Sequence, residues 1–244
     1  MQPAFNDDAV RLHELPLFAG LSAEDTEKFV TTTCSTFRKY TKGSRIVRAY
    51  ETNPYIGVLV SGEAVVISED RFGNESIGHA LARGMLFGSV AAILGEEFAF
   101  TSVEVRRDAQ ALLIPYHGLL LSGMKLGRLH GIVMKNLLAL FARKSVLMMQ
   151  KIEVLSQKSL RERLILYLMQ QSTWQHVDRV RIASRSQLAK SLECNRSALV
   201  REIGLMVKDG LLACGEDWME LMPSALESPN DSKTKRGKAA PDHP

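Results

Sequence analysis

Ser186-Gln187-Leu188-Ala189-Lys190-Ser191-Leu192-Glu193-Cys194-Asn195-Arg196-Ser197-Ala198-Leu199-Val200-Arg201-Glu202-Ile203-Gly204-Leu205-Met206 is the stretch on which the reading of the chain turns. It has the pattern of two short helices joined by a tight turn. A small residue is needed where the helices cross, and Ala189 supplies it. Leu188, Leu192, Cys194, Leu199 and Ile203 fall where apolar contacts would lock the pair together. Asn195 has the chemistry of an N-cap for the second helix. That cap places Arg196, Ser197 and Arg201 on the outward side of its first turns, where an arginine can grip the O6/N7 edge of guanine. Arg185 and Ser186, at the start of the first helix, join them as expected DNA contacts, and Asn195 is counted with the same set. Glu193 occupies a turn position that favours glycine, so some left-handed strain is expected there.

The flanks agree with a nucleic-acid partner. Leu211-Leu212-Ala213 and Trp218-Met219-Glu220-Leu221 read as strands joined at Gly215-Glu216-Asp217, a hairpin that adds a wing. Val180-Arg181-Ile182 reads as a further short strand. Ser159 with Glu162, and Ser184 with Gln187, have capping-box form, opening helices at Leu160 and Ser186. From Ser156 to Lys208 there are ten basic residues against four acidic ones, a net +6, whereas the whole chain carries only +4. The positive excess therefore sits around the two-helix segment, where phosphates would be met.

Working outward, the 244 residues divide into four. Residues 1–122 are rich in short aliphatic runs, Ile56–Val60, Ala64–Ile67 and Ala111–Ile114 among them, each bounded by turn residues such as Ser61-Gly62 and Arg83-Gly84. This predicts an antiparallel β sandwich or barrel. Residues 123–155 predict one long helix over 124–155, with glycines only in its first two turns. Leu126, Val133, Leu140 and Leu147 repeat every seven residues, as do Met134, Phe141 and Met148. One stripe is expected to meet a partner helix and the other the β domain; the first set is taken as the homodimer seam. Residues 156–222 are the helical segment with its wing, and residues 223–244 form a polar, proline-bearing tail expected to be disordered. The fold class is α+β.

Three scattered cysteines, Cys34, Cys194 and Cys214, supply neither a disulfide framework nor a metal-site spacing. Cys34 is expected to be a small buried hydrophobe. The N-terminus has no signal-peptide pattern and no apolar run could span a bilayer, so a cytoplasmic protein without a membrane partner is expected. There is no Gly-rich phosphate loop, no His-Glu-x-x-His and no nucleophile elbow, so an enzyme is not indicated.

In order along the chain, Leu15-Pro16-Leu17-Phe18-Ala19-Gly20-Leu21-Ser22, Tyr40 through Val47 with Gly43, Val58-Leu59-Val60-Ser61-Gly62-Glu63-Ala64, Gly84-Met85-Leu86-Phe87-Gly88, Arg161-Glu162-Arg163-Leu164 and Asn195-Arg196-Ser197-Ala198-Leu199 resemble the bacterial cyclic-AMP receptor protein and fumarate–nitrate regulator (CRP/FNR) superfamily of transcription regulators. The resemblance covers residues 13–222. It implies a cyclic-nucleotide-binding-like effector domain, a dimerisation helix and a winged helix-turn-helix that binds a palindromic operator in double-stranded DNA. Base-reading positions fall on Arg196, Ser197 and Arg201. The family often has Glu where Ser197 stands, so its half-site preference is not carried over.

The resemblance also bears on the effector. Cyclic-AMP-binding members place a Glu after Phe-Gly for the ribose and an Arg-Ser pair further on for the phosphate. Here Ser89 follows Phe87-Gly88, with Phe100 at the Arg position and Thr101 at the Ser position. A shielded phosphate lacking its Arg would be poorly paired, at a cost of several kcal/mol, which argues against cyclic AMP. Two readings stay open. Phe87, Phe98 and Phe100, with Gly88, Ser89, Thr101 and Ser102, line an apolar effector pocket; or the aromatics fill a sealed core. The cysteine set argues against an iron–sulfur cluster, and the spacing of His79, His117 and His130 argues against haem or another metal. The leading expectation is a homodimeric DNA-binding regulator under a small effector other than cyclic AMP, with RNA polymerase as an implied further partner. A cyclic-nucleotide responder with an atypical pocket, and a non-DNA-binding regulatory subunit, are the alternatives.

Overall fold

Alternating aliphatic residues on two long strands organise the N-terminal half. The structure is a computed structural model that describes residues 11–70, 72, 75–95, 97 and 99–226. Phe98 and residues 227–244 of the expected tail lie outside the described residues. The chain divides between Ala142 and Arg143 into two units.

The first unit opens with helical turns at Leu12–Glu14 and Pro16–Phe18, then helix α1 (Ala23–Thr32), whose N-cap Ser22 hydroxyl accepts from the Asp25 amide at 3.1 Å. Strands β1 (Thr36–Tyr40), β2 (Arg45–Val47), β3 (Tyr55–Glu69), β4 (Glu75–Leu81) and β5 (Leu86–Phe87) follow. Helix α2 (Ser89–Leu94) leads to β6 (Thr101–Pro115). The sheet is antiparallel, in the order β1-β6-β3-β4, with β2 added to β6 and β5 to β3. β3 and β6 pair from Tyr55↔Pro115 to Ser68↔Thr101.

Alternation sends their side chains into two cores. Ile56, Val58, Val60, Leu112 and Ile114 join Leu15, Leu17, Phe18 and Phe29 on one face. The Phe18 and Phe29 rings meet edge to face, 5.6 Å between centroids. Leu59, Ala111 and Leu113 join Val47, Phe87, Val103 and Val105 on the other. Each such side chain contributes about 1.5–3 kcal/mol relative to an exposed one.

The turn expected at Ser61-Gly62 is not a turn. The two runs on either side form one strand, β3, and the register against β6 shifts between Leu59 and Ala64. Gly62 has φ +84°, and a Cβ there would lie 2.2 Å from the Asp108 carbonyl oxygen. The glycine thus marks a bulge that bends a continuous strand.

Short helices α3 (Tyr116–Leu121) and α4 (Gly123–Leu126) precede α5 (Arg128–Leu155). The single helix expected over 124–155 is broken at Gly127, whose φ of +49° and ψ of −117° no helical residue adopts. The expected dimer seam also requires correction. Leu126, on α4, is 5% exposed and Val133 is 1% exposed; both sit in the first core, and Leu140 packs against it. Leu147 lies on the helix side where Gln150 and Glu153 hydrogen-bond to α6 (Leu160–Gln175), through Trp174 Nε1 at 2.9 Å and Gln170 Nε2 at 3.0 Å. Leu138, Ala142, Ser145, Met149 and Ile152, at 4-3-4-3 spacing, form an exposed stripe, and Val146, Leu147 and Met148 beside it are exposed as well.

In the second unit, α6 is followed by β7 (Arg179–Arg181), α7 (Arg185–Ser191), α8 (Arg196–Lys208), β8 (Leu212–Cys214), β9 (Trp218–Leu221) and α9 (Pro223–Leu226). α9 places a helical turn at the start of the expected tail. The strands form an antiparallel sheet in the order β7-β9-β8. Val154, Leu164, Leu168, Val180, Leu188, Leu192, Leu199, Ile203, Met206 and Met219 make the core.

The α6 capping box is complete: the Glu162 amide donates to the Ser159 hydroxyl at 3.2 Å, and the Ser159 amide to Glu162 Oε2 at 3.0 Å. The hydrogen bond from the Ser159 amide holds the Glu162 carboxylate below its usual 4.5. A depressed carboxylate stabilises the fold above the unfolded-state value and loses that contribution as pH falls through the folded one. Thermal midpoints of the wild type should therefore rise on going from about pH 3 to pH 5. Glu162→Gln keeps an acceptor without a titrating charge, and its midpoint should rise less over the same range.

Candidate nucleic-acid interface and sensor pocket

The turn between α7 and α8 is built from Leu192 to Asn195. The Glu193 amide donates to the Lys190 carbonyl at 3.2 Å and the Cys194 amide to the Ala189 carbonyl at 3.0 Å. Closing it forces Glu193 to φ +51°, the strained left-handed geometry. The Glu193 carboxylate meets Lys151 Nζ at 3.3 Å, an exposed pair of small energetic weight. Cys194 turns inward; burial raises its thiol pKa, with Arg163 opposing weakly. It is a packing residue in this turn.

Helix α8 has two sharply different sides. Leu199, Ile203 and Met206 are buried against α7 and the sheet. Asn195, Arg196, Ser197, Val200, Arg201, Gly204 and Lys208 are exposed. Asn195 holds the N-cap position with extended backbone, but its side chain makes no capping hydrogen bond. Neither Arg196 nor Arg201 has an ion-pair partner among the described residues. Val200 carries an apolar side chain on this exposed side. The sequence signal for it was a β-branched residue lying off the Leu199–Ile203 stripe.

Four other arginines of the basic block, Arg161, Arg163, Arg179 and Arg185, are engaged within the fold, whereas Arg181 is exposed. Arg161 Nε donates to Glu202 Oε1 at 2.6 Å and its Nη1 to Asp209 Oδ2 at 2.9 Å. One guanidinium thus braces α6 against the middle and the C-terminal cap of α8, and the hydrogen bond to Glu202 above all, with that to Asp209, raises its pKa above the usual guanidinium value. Arg179 pairs with Glu220 at 2.8 Å and lies over the Trp218 ring, 4.7 Å from its centroid. Arg185, counted among the DNA contacts, is half-buried and its Nη2 donates to the Gly215 carbonyl at 2.8 Å. It ties the start of α7 to the hairpin turn rather than reaching outward. Ser186 beside it is exposed.

The seven effector positions separate. Phe87, Gly88 and Ser89 gather where β5 meets α2. Phe87 is 4% exposed and lies across Gly57 so closely that a methyl group there would come within 2.2 Å of the ring. Gly88 has φ +68°, and its carbonyl accepts from Asn53 Nδ2 at 2.9 Å. Ser89 is buried. Phe100 is 49% exposed, so it lines no enclosed pocket. Thr101 is half-buried opposite Ser68. Ser102 is fully buried, yet its hydroxyl is already committed: it accepts from the Ala49 amide at 2.9 Å and donates to the Glu69 carboxylate, which Arg45 holds at 3.1 Å.

A shallow depression of about 160 Å³ lies elsewhere, among Thr32, Thr33, Cys34, Pro115, Gly118, Leu121, Ser122 and Lys125. Cys34 is exposed, contrary to expectation. It sits at φ +55° where α1 ends, with the Cys34 amide bonded to the Thr31 carbonyl and the Ser35 amide to the Val30 carbonyl. This left-handed helix end turns the thiol away from the core.

Residues 37–120 match the family model of the cyclic nucleotide-binding domain. Among solved structures, the Thermus thermophilus catabolite activator protein is 24% identical, with 86% of this chain and 95% of that chain covered and a TM-score of 0.50. The CLP regulator of Xanthomonas campestris, described as a c-di-GMP-responsive global regulator, is 19% identical over 82% of this chain and 99% of its own, with a TM-score of 0.53. CprK in complex with OCPA is 14% identical over 82% of this chain and 94% of its own, with a TM-score of 0.58. No curated protein matches the chain by sequence. The chain thus has an α+β fold containing a cyclic-nucleotide-binding-type β domain, and it shares its fold with these three structures.

Left-handed backbone costs a residue with a Cβ about 1–2 kcal/mol. Glu193→Gly should therefore stabilise the second unit by roughly 1 kcal/mol, part of the relief being offset by glycine's greater unfolded-state entropy. A denaturant titration followed by Trp174 and Trp218 fluorescence would register the shift; a lower midpoint would contradict the strain argument.

Proposed function

We propose that this protein is a sequence-specific DNA-binding transcription regulator of the CRP/FNR type that acts as a homodimer. The observation that carries the reading is the outward side of α8, where Arg196 and Arg201 stand exposed and, among the described residues, without ion-pair partners, while Arg161, Arg179 and Arg185 are held within the fold. Read this way, α7 and α8 are a helix-turn-helix and β8–β9 is its wing. Residues 1–122 are the effector domain, 123–155 the dimerisation segment and 156–222 the DNA-binding domain. Arg196, Ser197 and Arg201 read bases; Asn195 and Ser186 approach the backbone; Arg185 supports the wing.

Two copies would associate through the Leu138–Ala142–Ser145–Met149–Ile152 stripe, with the period of a coiled-coil seam. The pair would present two recognition helices to a palindromic operator. The effector is read as a small molecule other than cyclic AMP, supported by Ser89 in place of the family's Glu and by the bulk of Phe87 over Gly57. The site of action is the cytoplasm, with RNA polymerase as the further partner such a regulator engages. Among the described residues no helix is long and apolar enough to cross a membrane.

Arg196→Ala should weaken operator binding by about 1–3 kcal/mol and relax one base position per half-site. Selection from a random duplex library, run with wild type and variant, checks this; an unchanged preference would sink the reading. Met149→Glu, which puts a charge on the proposed seam, should convert a dimer into monomers in sedimentation velocity without lowering helix content.

A further inference from the structure

Val200 is 49% exposed in the middle of α8, one turn beyond Arg196 and beside Arg201. Among the described residues Val200 lies in no buried cluster, and the other exposed large apolar residues of α8, Leu205 and Val207, stand nearer its C-terminal end, away from Arg196. The buried stripe of α8 is Leu199, Ile203 and Met206, and Val200 is not part of the core those residues build. Local preference does not explain it either, since valine is a poorer helix former than alanine or the long polar residues that usually fill exposed helix positions. Gly204, one turn further on, has open space where a side chain would stand, so that flank of the helix is bare beside Val200. The outward side therefore presents, in sequence, a guanidinium, a hydroxyl, an isopropyl group, a second guanidinium and a gap.

Among the base edges of the major groove, only thymine offers an apolar group, its 5-methyl. A compact branched hydrocarbon between two arginines matches that feature and has no hydrogen bond to give to any other. We infer that Val200 reads the 5-methyl group of one thymine in each operator half-site, next to the base pairs contacted by Arg196 and Arg201. This rests on the reading of α8 as the base-reading helix.

The test uses the full-length protein and the operator recovered by library selection. Each thymine of one half-site is replaced in turn by deoxyuridine, which removes the methyl group and leaves every hydrogen-bonding atom in place. For wild type, one such replacement should weaken binding about fourfold, the effect of losing one buried methyl. For Val200→Ala the same replacement should change binding by less than half as much, while replacements elsewhere act alike on both proteins. The inference is overturned if no thymine responds, or if wild type and Val200→Ala respond equally at every position. It fails separately from the broader reading: a protein that selects a sequence through Arg196 but ignores thymine methyls retains the proposed function, and one whose selection yields no preferred sequence loses both. Alanine at an exposed position of a helix keeps the fold, and matching circular dichroism melts would register this.

Discussion

Helix α5 is shared between two cores, and much else in the chain follows from that constraint. Val133 and Leu137 are buried in the core of the first unit and Val154 in that of the second. A helix under both demands must be apolar on more than one side. It must also start where the first core can receive it, which is why Gly127 breaks the chain between α4 and α5. The Asn136 side chain fastens the same helix by donating to the Leu17 and Ala19 carbonyls at 3.0 and 2.8 Å. What is left over, the Leu138–Ile152 stripe, is exposed among the described residues. Dimerisation through that stripe would complete the burial that the helix pattern begins.

A similar division of labour governs the arginines. A net +6 block would attract phosphates wherever its charges lay, but base reading needs charges that are free and held in a fixed place. Within the fold, one arginine holds the helix that carries two others. Arg161 clamps α8 through Glu202 and Asp209, and the helix so fixed carries Arg196 and Arg201 outward. Arg185 and Arg179 secure the hairpin through Gly215, Glu220 and Trp218. The strained turn at Glu193 fits the same logic, since it is the geometry that sets the angle between α7 and α8.

In the β domain, the residues around Phe87 are committed to packing. Phe87 covers Gly57 and joins Val47, Val103 and Val105 in the second core. Phe87 is buried and Phe100 is half exposed. Ser102, the most buried of the polar candidates, serves the Arg45–Glu69 pair. A ligand for this domain would have to meet Phe87, Gly88 and Ser89 on those terms.

Local patterns determined a good deal without tertiary information. Capping chemistry at Ser159 and Ser184 located α6 and α7, and the apolar spacing around Ala189 located the helix pair, because helix ends and crossings are set by neighbours in sequence. Aliphatic runs located β3 and β6 but not their continuity, since a glycine bulge and a glycine turn look alike until the partner strand is known. Which apolar stripe of α5 is covered, which arginines are free, whether Cys34 faces inward and where the phenylalanines stand were decided only by tertiary structure. Each depends on what lies opposite a side chain in space, and a one-dimensional period records a face without recording what that face meets.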